Sequence, residues 1–407
     1  MAIEPKYENV VSSERVKLGT TQAVIECRLP ASDSSEIAKI LCANAKSFIV
    51  NTEAKENEVE FLGNVNFQVI YENADGVANG LDYTADFKDK FSNNAITPQS
   101  VPIVQSVVVD VNTTINGNDV KVVAIVEISV EIIKTQEVNA LTGATGDNVF
   151  LDMAQLKVSN FVGMLNDKFD STYDIEIKDN VEKVLEVSCS PFIESVTPFE
   201  KYVKVLGGAN IDICYVTSGD QNLLRTKQEK VNFEQEVALD ALTEQSCVQS
   251  MLDINNSLIK ITTNIDTDYA IVNLNLPYEY CGYAFNTSEF EVVDDIFSTE
   301  TYLKVCTESF DTLICGGHVN AECKVSGNVE SEDRVVDEVL GTCCNTITVA
   351  TTFIENNNLV LEGVASTTVL YFNKESNNTY SMVVEMPFSI SENVNDLDDS
   401  YIPIVNV

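Results

Sequence analysis

The 407-residue sequence has no tryptophan and a single histidine, and its 25 lysines and arginines stand against 63 aspartates and glutamates. So few bases at a net charge of −38 exclude nucleic acid and anionic lipid as partners, because such a surface repels phosphate wherever its field is felt. One histidine also removes most routes to nucleophilic catalysis, since a Ser or Cys nucleophile needs a base within hydrogen-bond reach and His318 follows a Gly-Gly pair. No apolar run has the length of a membrane helix. Met1 to Lys17 carries Glu4, Lys6, Glu8 and Glu14 where a secretory signal needs an apolar stretch. The expectation is a chain without an export signal of its own and without membrane insertion.

Eleven cysteines show neither a CxxC pair nor a regular spacing, which speaks against a disulfide framework and for reduced, buried thiols. Cys315, His318 and Cys323 lack a fourth ligand at zinc spacing. The adjacent pair Cys343-Cys344 is the exception. Neighbours in a strand point to opposite faces, so one thiol of the pair is expected at the surface and the pair is the candidate cross-link. Asp396, Asp398 and Asp399 are weak calcium candidates, without the ligand alternation or glycine of an EF-hand loop. No other cofactor, no catalytic residue and no enzymatic activity are expected. With 44% hydrophobic residues, the chain is rich enough in apolar groups to fold despite its charge.

What is present is a threefold repeat. Leu41 leads to Gly63, Tyr71 and Phe87; Leu185 leads to Gly207, Tyr215 and Phe233; Leu340 leads to Gly363, Tyr371 and Phe388. Each glycine stands eight residues before its tyrosine. The even spacing puts Gly63, Val65, Phe67, Val69 and Tyr71 on one strand face, expected to pack, and Asn64, Asn66 and Gln68 on the other, expected to be wet. The tyrosine-to-phenylalanine distance drifts as a hairpin loop of variable length requires. Ahead of each leucine, Glu36–Leu41, Val181–Leu185 and Val336–Leu340 read as a one- to two-turn helix. Before that lie extended runs, Val24–Leu29, Asp174–Lys178 and Asn320–Val325. Behind the first two hairpins follow further Val/Ile/Thr-rich strands, with a turn at Asn116-Gly117.

The predicted fold is therefore mainly β: tandem antiparallel β-sandwich-like modules, each with one short helix. The modules are read as 1–143, 147–297 and an incomplete 298–407, with Gly143 to Asp147 as a linker. In the third, the strands behind the hairpin are missing. Either the sequence continues in a longer protein, or a partner fills the open sheet by strand addition.

The strings Leu29-Pro30 to Leu41, Phe61-Leu62-Gly63 to Tyr71 and Phe87, with their echoes in the other two copies, resemble the SPOCS domain of spore-coat and spore-envelope proteins of anaerobic spore formers. The resemblance implies a non-enzymatic scaffold made in the mother-cell cytoplasm and ending in the spore coat, envelope or spore surface. Its partners would be proteins, either other coat proteins or further copies of itself in a filament. A monomeric adaptor for a coat protein or an envelope carbohydrate is the alternative. Many family members end in a lysin-motif module, and none is found here, so the resemblance does not carry glycan binding with it.

Overall fold

A computed structural model describes residues 3–405 apart from 32–35, 219–222, 267–268, 308, 310–313, 315, 317–318, 320, 332–333, 395–396 and 398–400. The calcium candidates Asp396, Asp398 and Asp399, like Cys315 and His318, lie outside the described residues. The strands in chain order are β1 (Glu4–Pro30), β2 (Ile37–Lys55), β3 (Glu58–Asn73), β4 (Ala78–Ser92), β5 (Val101–Asn116), β6 (Asp119–Thr145), β7 (Val149–Ile177), β8 (Val181–Phe199), β9 (Tyr202–Thr217), β10 (Leu224–Ala238), β11 (Cys247–Ile254), β12 (Lys260–Ile265), β13 (Ala270–Ser298), β14 (Glu338–Glu355), β15 (Asn358–Asn373) and β16 (Asn378–Asn393). The helical content among the described residues is a single 3-10 turn, Asn256–Leu258.

Strict alternation builds the cores. In β6 the residues Val120, Val122, Ala124, Val126, Ile128, Val130 and Ile132 are all fully buried, one face of a period-two strand. In module 1 that face, in the outer sheet β1-β6-β5, packs on the inner sheet β2-β3-β4, where Phe61, Val65, Phe67, Val69 and Tyr71 answer it. Module 2 repeats the arrangement with β13 paired to β7 on one side and to β11 and β12 on the other, over the inner sheet β8-β9-β10. Among the described residues of module 3 the only sheet is the inner one, β14-β15-β16. All pairings are antiparallel.

Four expectations are corrected. The three helix-like stretches are strand, the opening residues of β2, β8 and β14. Register shifts at Ile37/Lys39 and Ile40/Cys42, at Val181/Lys183 and Val184/Glu186, and at Val339/Gly341 each insert a residue. Paired bulges break the period of two and leave apolar residues three or four apart, which imitates a helix. The linker at 143–145 is also strand, with Gly143 paired to Lys6 and Thr145 to Glu4. Residues 321–325 carry no strand. The face taken for wet is buried: Asn64, Asn66 and Gln68 are at most 7% exposed. The Asn116-Gly117 turn is where it was expected, with Gly117 at φ +64°.

Each signature glycine lies directly opposite its phenylalanine, Gly63 to Phe87, Gly207 to Phe233 and Gly363 to Phe388. On the other side each faces a bulge, at Ile49/Asn51, Ile193/Ser195 and Val349/Thr351. A methyl on Gly207 would stand 2.6 Å from the Phe192 carbonyl oxygen and 3.0 Å from the Phe233 ring. The ring therefore lies across the glycine and fills the space a side chain would take, a pairing that protects an unfilled strand position. Gly207→Ala is expected to lower stability by about 1–3 kcal/mol through overpacking, measured as a drop in thermal midpoint. An unchanged midpoint would remove the packing account of the repeat.

Candidate functional site

Two places on this scaffold combine chemistry with position. The first is the face of β14-β15-β16 that in the other modules meets an outer sheet. On the central strand of module 1, Val59, Phe61, Val65 and Val69 are 0–1% exposed, and their equivalents in module 2, Val203, Val205, Ala209 and Ile213, are buried as well. The corresponding Leu359, Leu361, Ala365 and Val369 of β15 are only half-buried. Ile347, paired to Ala365 and on the same face, is 54% exposed. Among the described residues no sheet faces it; irregular chain covers part of it, with Gly327 beside Met386 and the Arg334 guanidinium 4.1 Å from the Tyr380 ring centroid.

The second is where the three inner sheets meet. Their other faces converge, and the contacts run in one cyclic order: β4 of module 1 on β8, β10 of module 2 on β14, β16 of module 3 on β2. One apolar cluster joins Leu41 and Ile70, Cys214 and Val216, and Leu340, Leu370 and Phe372, with Leu185 against it. Leu41, Leu185 and Leu340 are the signature leucines, so the repeat marks this junction. Polar groups of the same faces close the joints. Gln68 Nε2 donates to the Val187 carbonyl at 3.1 Å, and at the equivalent place Asn345 donates to Asp212 at 3.1 Å.

The residue two before each signature leucine reaches across a joint. Lys183 Nζ donates to Asn79 Oδ1 at 2.7 Å, Lys39 to Asn378 and to the Thr379 carbonyl beneath the Tyr380 ring, and in the joint between β10 and β14 an acid takes the lysine's place, with Glu338 accepting from Arg225 at 2.7 Å. Lys46 Nζ donates to the Cys189 carbonyl at 2.7 Å and to Ser190 Oγ. Burial lowers its pKa.

At this junction the position after the signature leucine is Cys42 in module 1 and Glu186 in module 2, and module 3 brings Cys343 and Cys344 to them. The alternation expected of neighbouring strand residues fails at this pair. Cys344 adopts φ +54° inside an irregularity between Cys343 and Thr346, which turns both thiols to one side. The three sulfurs lie within 4.8 Å of one another, with Cys344 Sγ 3.2 Å from Cys42 Sγ. Cys42 and Cys343 are buried and Cys344 half-buried. Hydrogen bonds from Cys343 and then Cys42 hold the Cys344 thiol well below the usual range, while Cys42 and Cys343 are pushed up.

Glu186 is 8% exposed, and its Oε2 has no hydrogen-bond partner. Sequence reading missed this acid, which carries no motif. The signal was its alignment with Cys42 one residue past a signature leucine. The remaining signature residues serve packing: Tyr71, Tyr215 and Tyr371 are buried, with Tyr215 Oη 3.2 Å from Asp179. Among the described residues nine cysteines are free thiols, whereas Cys247 is disulfide-bonded, a departure from the expected set of reduced thiols.

The molecule is thus an all-β chain of sandwich modules joined through their inner sheets. Residues 36–116, which span β2 to β5, match the family model described as SipL, SPOCS domain. That segment is similar to a SPOCS domain. No curated protein and no solved structure matches the chain. No helix among the described residues is long and apolar enough to cross a membrane.

Burial first, and the Cys344 sulfur second, raise the Glu186 carboxyl to about 8, against the pull of Lys46; Asp82 and Asp212 add to the rise. The folded chain then holds a proton that the unfolded chain releases in the ordinary carboxylate range. The associated stability is complete below that range and is lost as pH rises towards 8. In chelator-containing buffer, wild type is expected to lose stability relative to Glu186→Gln between about pH 5 and about pH 8, by on the order of a few kcal/mol. Paired denaturant titrations across that range check it. A difference that does not vary with pH would contradict a protonated buried acid.

Proposed function

We propose that this protein is a non-enzymatic structural or assembly component of the spore envelope, in the coat or a spore-associated fibre, that associates through module faces and sheet edges. The observation that supports the reading best is the half-covered apolar face of β14-β15-β16, equivalent to faces that modules 1 and 2 bury completely. An apolar sheet face of this kind is an association surface. The occupant proposed is a β element of another copy. Because the open face and the surface that fills it are different parts of the chain, such contacts are head-to-tail and propagate instead of closing. At a charge of −38 the copies repel one another, so assembly should strengthen with salt or divalent cations.

Light scattering after size exclusion, with negative-stain microscopy, tests this on the chain in reducing buffer at rising protein concentration. A concentration-dependent series of oligomers is expected, abolished by Ile347→Lys, an exposed position whose substitution leaves the fold intact. A wild-type chain that stays monomeric throughout, with a protease-resistant third module, would overturn self-association. A saturating one-to-one complex with a coat protein would then give the adaptor reading instead.

A further inference from the structure

We propose that the junction of the three inner sheets is a metal site, in which Cys42, Cys343, Cys344 and Glu186 hold one thiophilic divalent cation of the zinc class. The argument is independent of whether the protein assembles. The three sulfurs lie within 4.8 Å of one another. Tetrahedral zinc at its usual bond length of about 2.3 Å separates its sulfurs by about 3.8 Å, so small rotations about the Cα–Cβ bonds bring all three into range. Cys343, Cys344 and Glu186 line one cavity of about 10 Å³, the space of a single water or ion.

Glu186 is the second, separate observation. It comes from a different module, is more than nine-tenths buried, and leaves Oε2 without a partner. A buried carboxylate oxygen left unpaired is costly. The Glu186 carboxylate stands outside the trio of sulfurs but lines the same cavity as Cys343 and Cys344, and by turning into it would add an oxygen donor, a ligand type zinc accepts, as the fourth bond. The backbone has already departed from strand geometry to place two successive thiols on one side, with Cys344 in a left-handed conformation that a non-glycine residue adopts at a cost.

Binding exchanges protons for the cation. The thiol and carboxyl protons leave to solvent, and four metal–ligand bonds form. Three thiolates and a carboxylate around a dication leave a charge of about −2 by ordinary ionisation, and the buried Lys46, held by the Cys189 carbonyl and Ser190 of module 2, is the cation placed to offset part of it. Because the ligands come from all three modules, the ion would tie the cyclic arrangement together at its centre. Binding free energy at such a site is folding free energy.

The test is a cobalt(II) titration of the reduced, metal-stripped full chain carrying Cys306→Ser and Cys323→Ser, which remove the two thiols exposed among the described residues. Expected are one saturating equivalent, the near-ultraviolet sulfur-to-cobalt charge-transfer band and visible bands of tetrahedral thiolate-rich cobalt, all erased by one equivalent of zinc. Cys344→Ser is expected to lower the charge-transfer intensity and, like Glu186→Gln, to weaken affinity by about ten- to a hundredfold. The thermal midpoint should rise with zinc in wild type and not in Cys344→Ser. If a variant fails to fold, the wild-type spectrum and the zinc content after chelator dialysis decide the matter. Six-coordinate cobalt spectra, absence of saturable uptake, or isolation of a Cys42–Cys344 disulfide in place of thiols that bind the ion would each overturn the proposal.

Discussion

The inner sheets of this protein have two faces to bury, and only one of them can be served from within a module. The hydrophobic face of β3 meets β6, and that of β9 meets β13. The opposite faces carry a mixture no solvent-facing sheet would need: leucines and isoleucine at one end, carboxamides and acids at the other. Buried polar groups must find hydrogen-bond partners; Asn66 finds them on Asp82 and Thr84 of its own sheet, while Gln68 reaches across to the Val187 carbonyl of the neighbouring module. The modules therefore depend on one another for the completion of their sheets, unlike beads on a flexible linker.

That mutual dependence explains what could be read from the residues alone and what could not. The Gly, Tyr and Phe spacing follows from covalent strand geometry, and it located the repeat and the β architecture, because a glycine opposite a phenylalanine is a local cross-strand fact. The short helices were misread because two bulges in succession reproduce a helical spacing of apolar residues. Asn64, Asn66 and Gln68 read as solvent-facing because nothing in a strand's own pattern tells water from the polar face of a partner sheet. The same limit hid the meeting of Cys42, Glu186 and Cys344, three residues far apart in the chain that share a place only once the third module closes on the first. The pair Cys343-Cys344 misled for a backbone reason: the rule of alternating faces holds for regular strand, and Cys344 is not in one.

The three joints share a plan but not a chemistry. Lysine meets asparagine at the first, glutamate meets arginine at the second, and lysine meets an asparagine and a tyrosine ring at the third. These pairs are half-buried. Their value is discrimination: a lysine in the wrong joint would face Arg225, and like charges in contact disfavour the wrong neighbour. Sequence divergence among otherwise equivalent modules thus fixes which sheet sits beside which.

The joint between the third module and the first has a further consequence for the birth of the molecule. Lys39 and Thr379, 340 positions apart, touch only after both have left the ribosome, and contacts of such long range are late and slow to form. Until then the inner sheet of the first module stands with the flank at β2 uncovered by the third module, rich in buried-type leucine, isoleucine and cysteine side chains. The interval of synthesis is therefore the period in which this protein is most exposed to capture by chaperones or to exchange of modules between nascent chains, and closure of the last joint is the event that ends it.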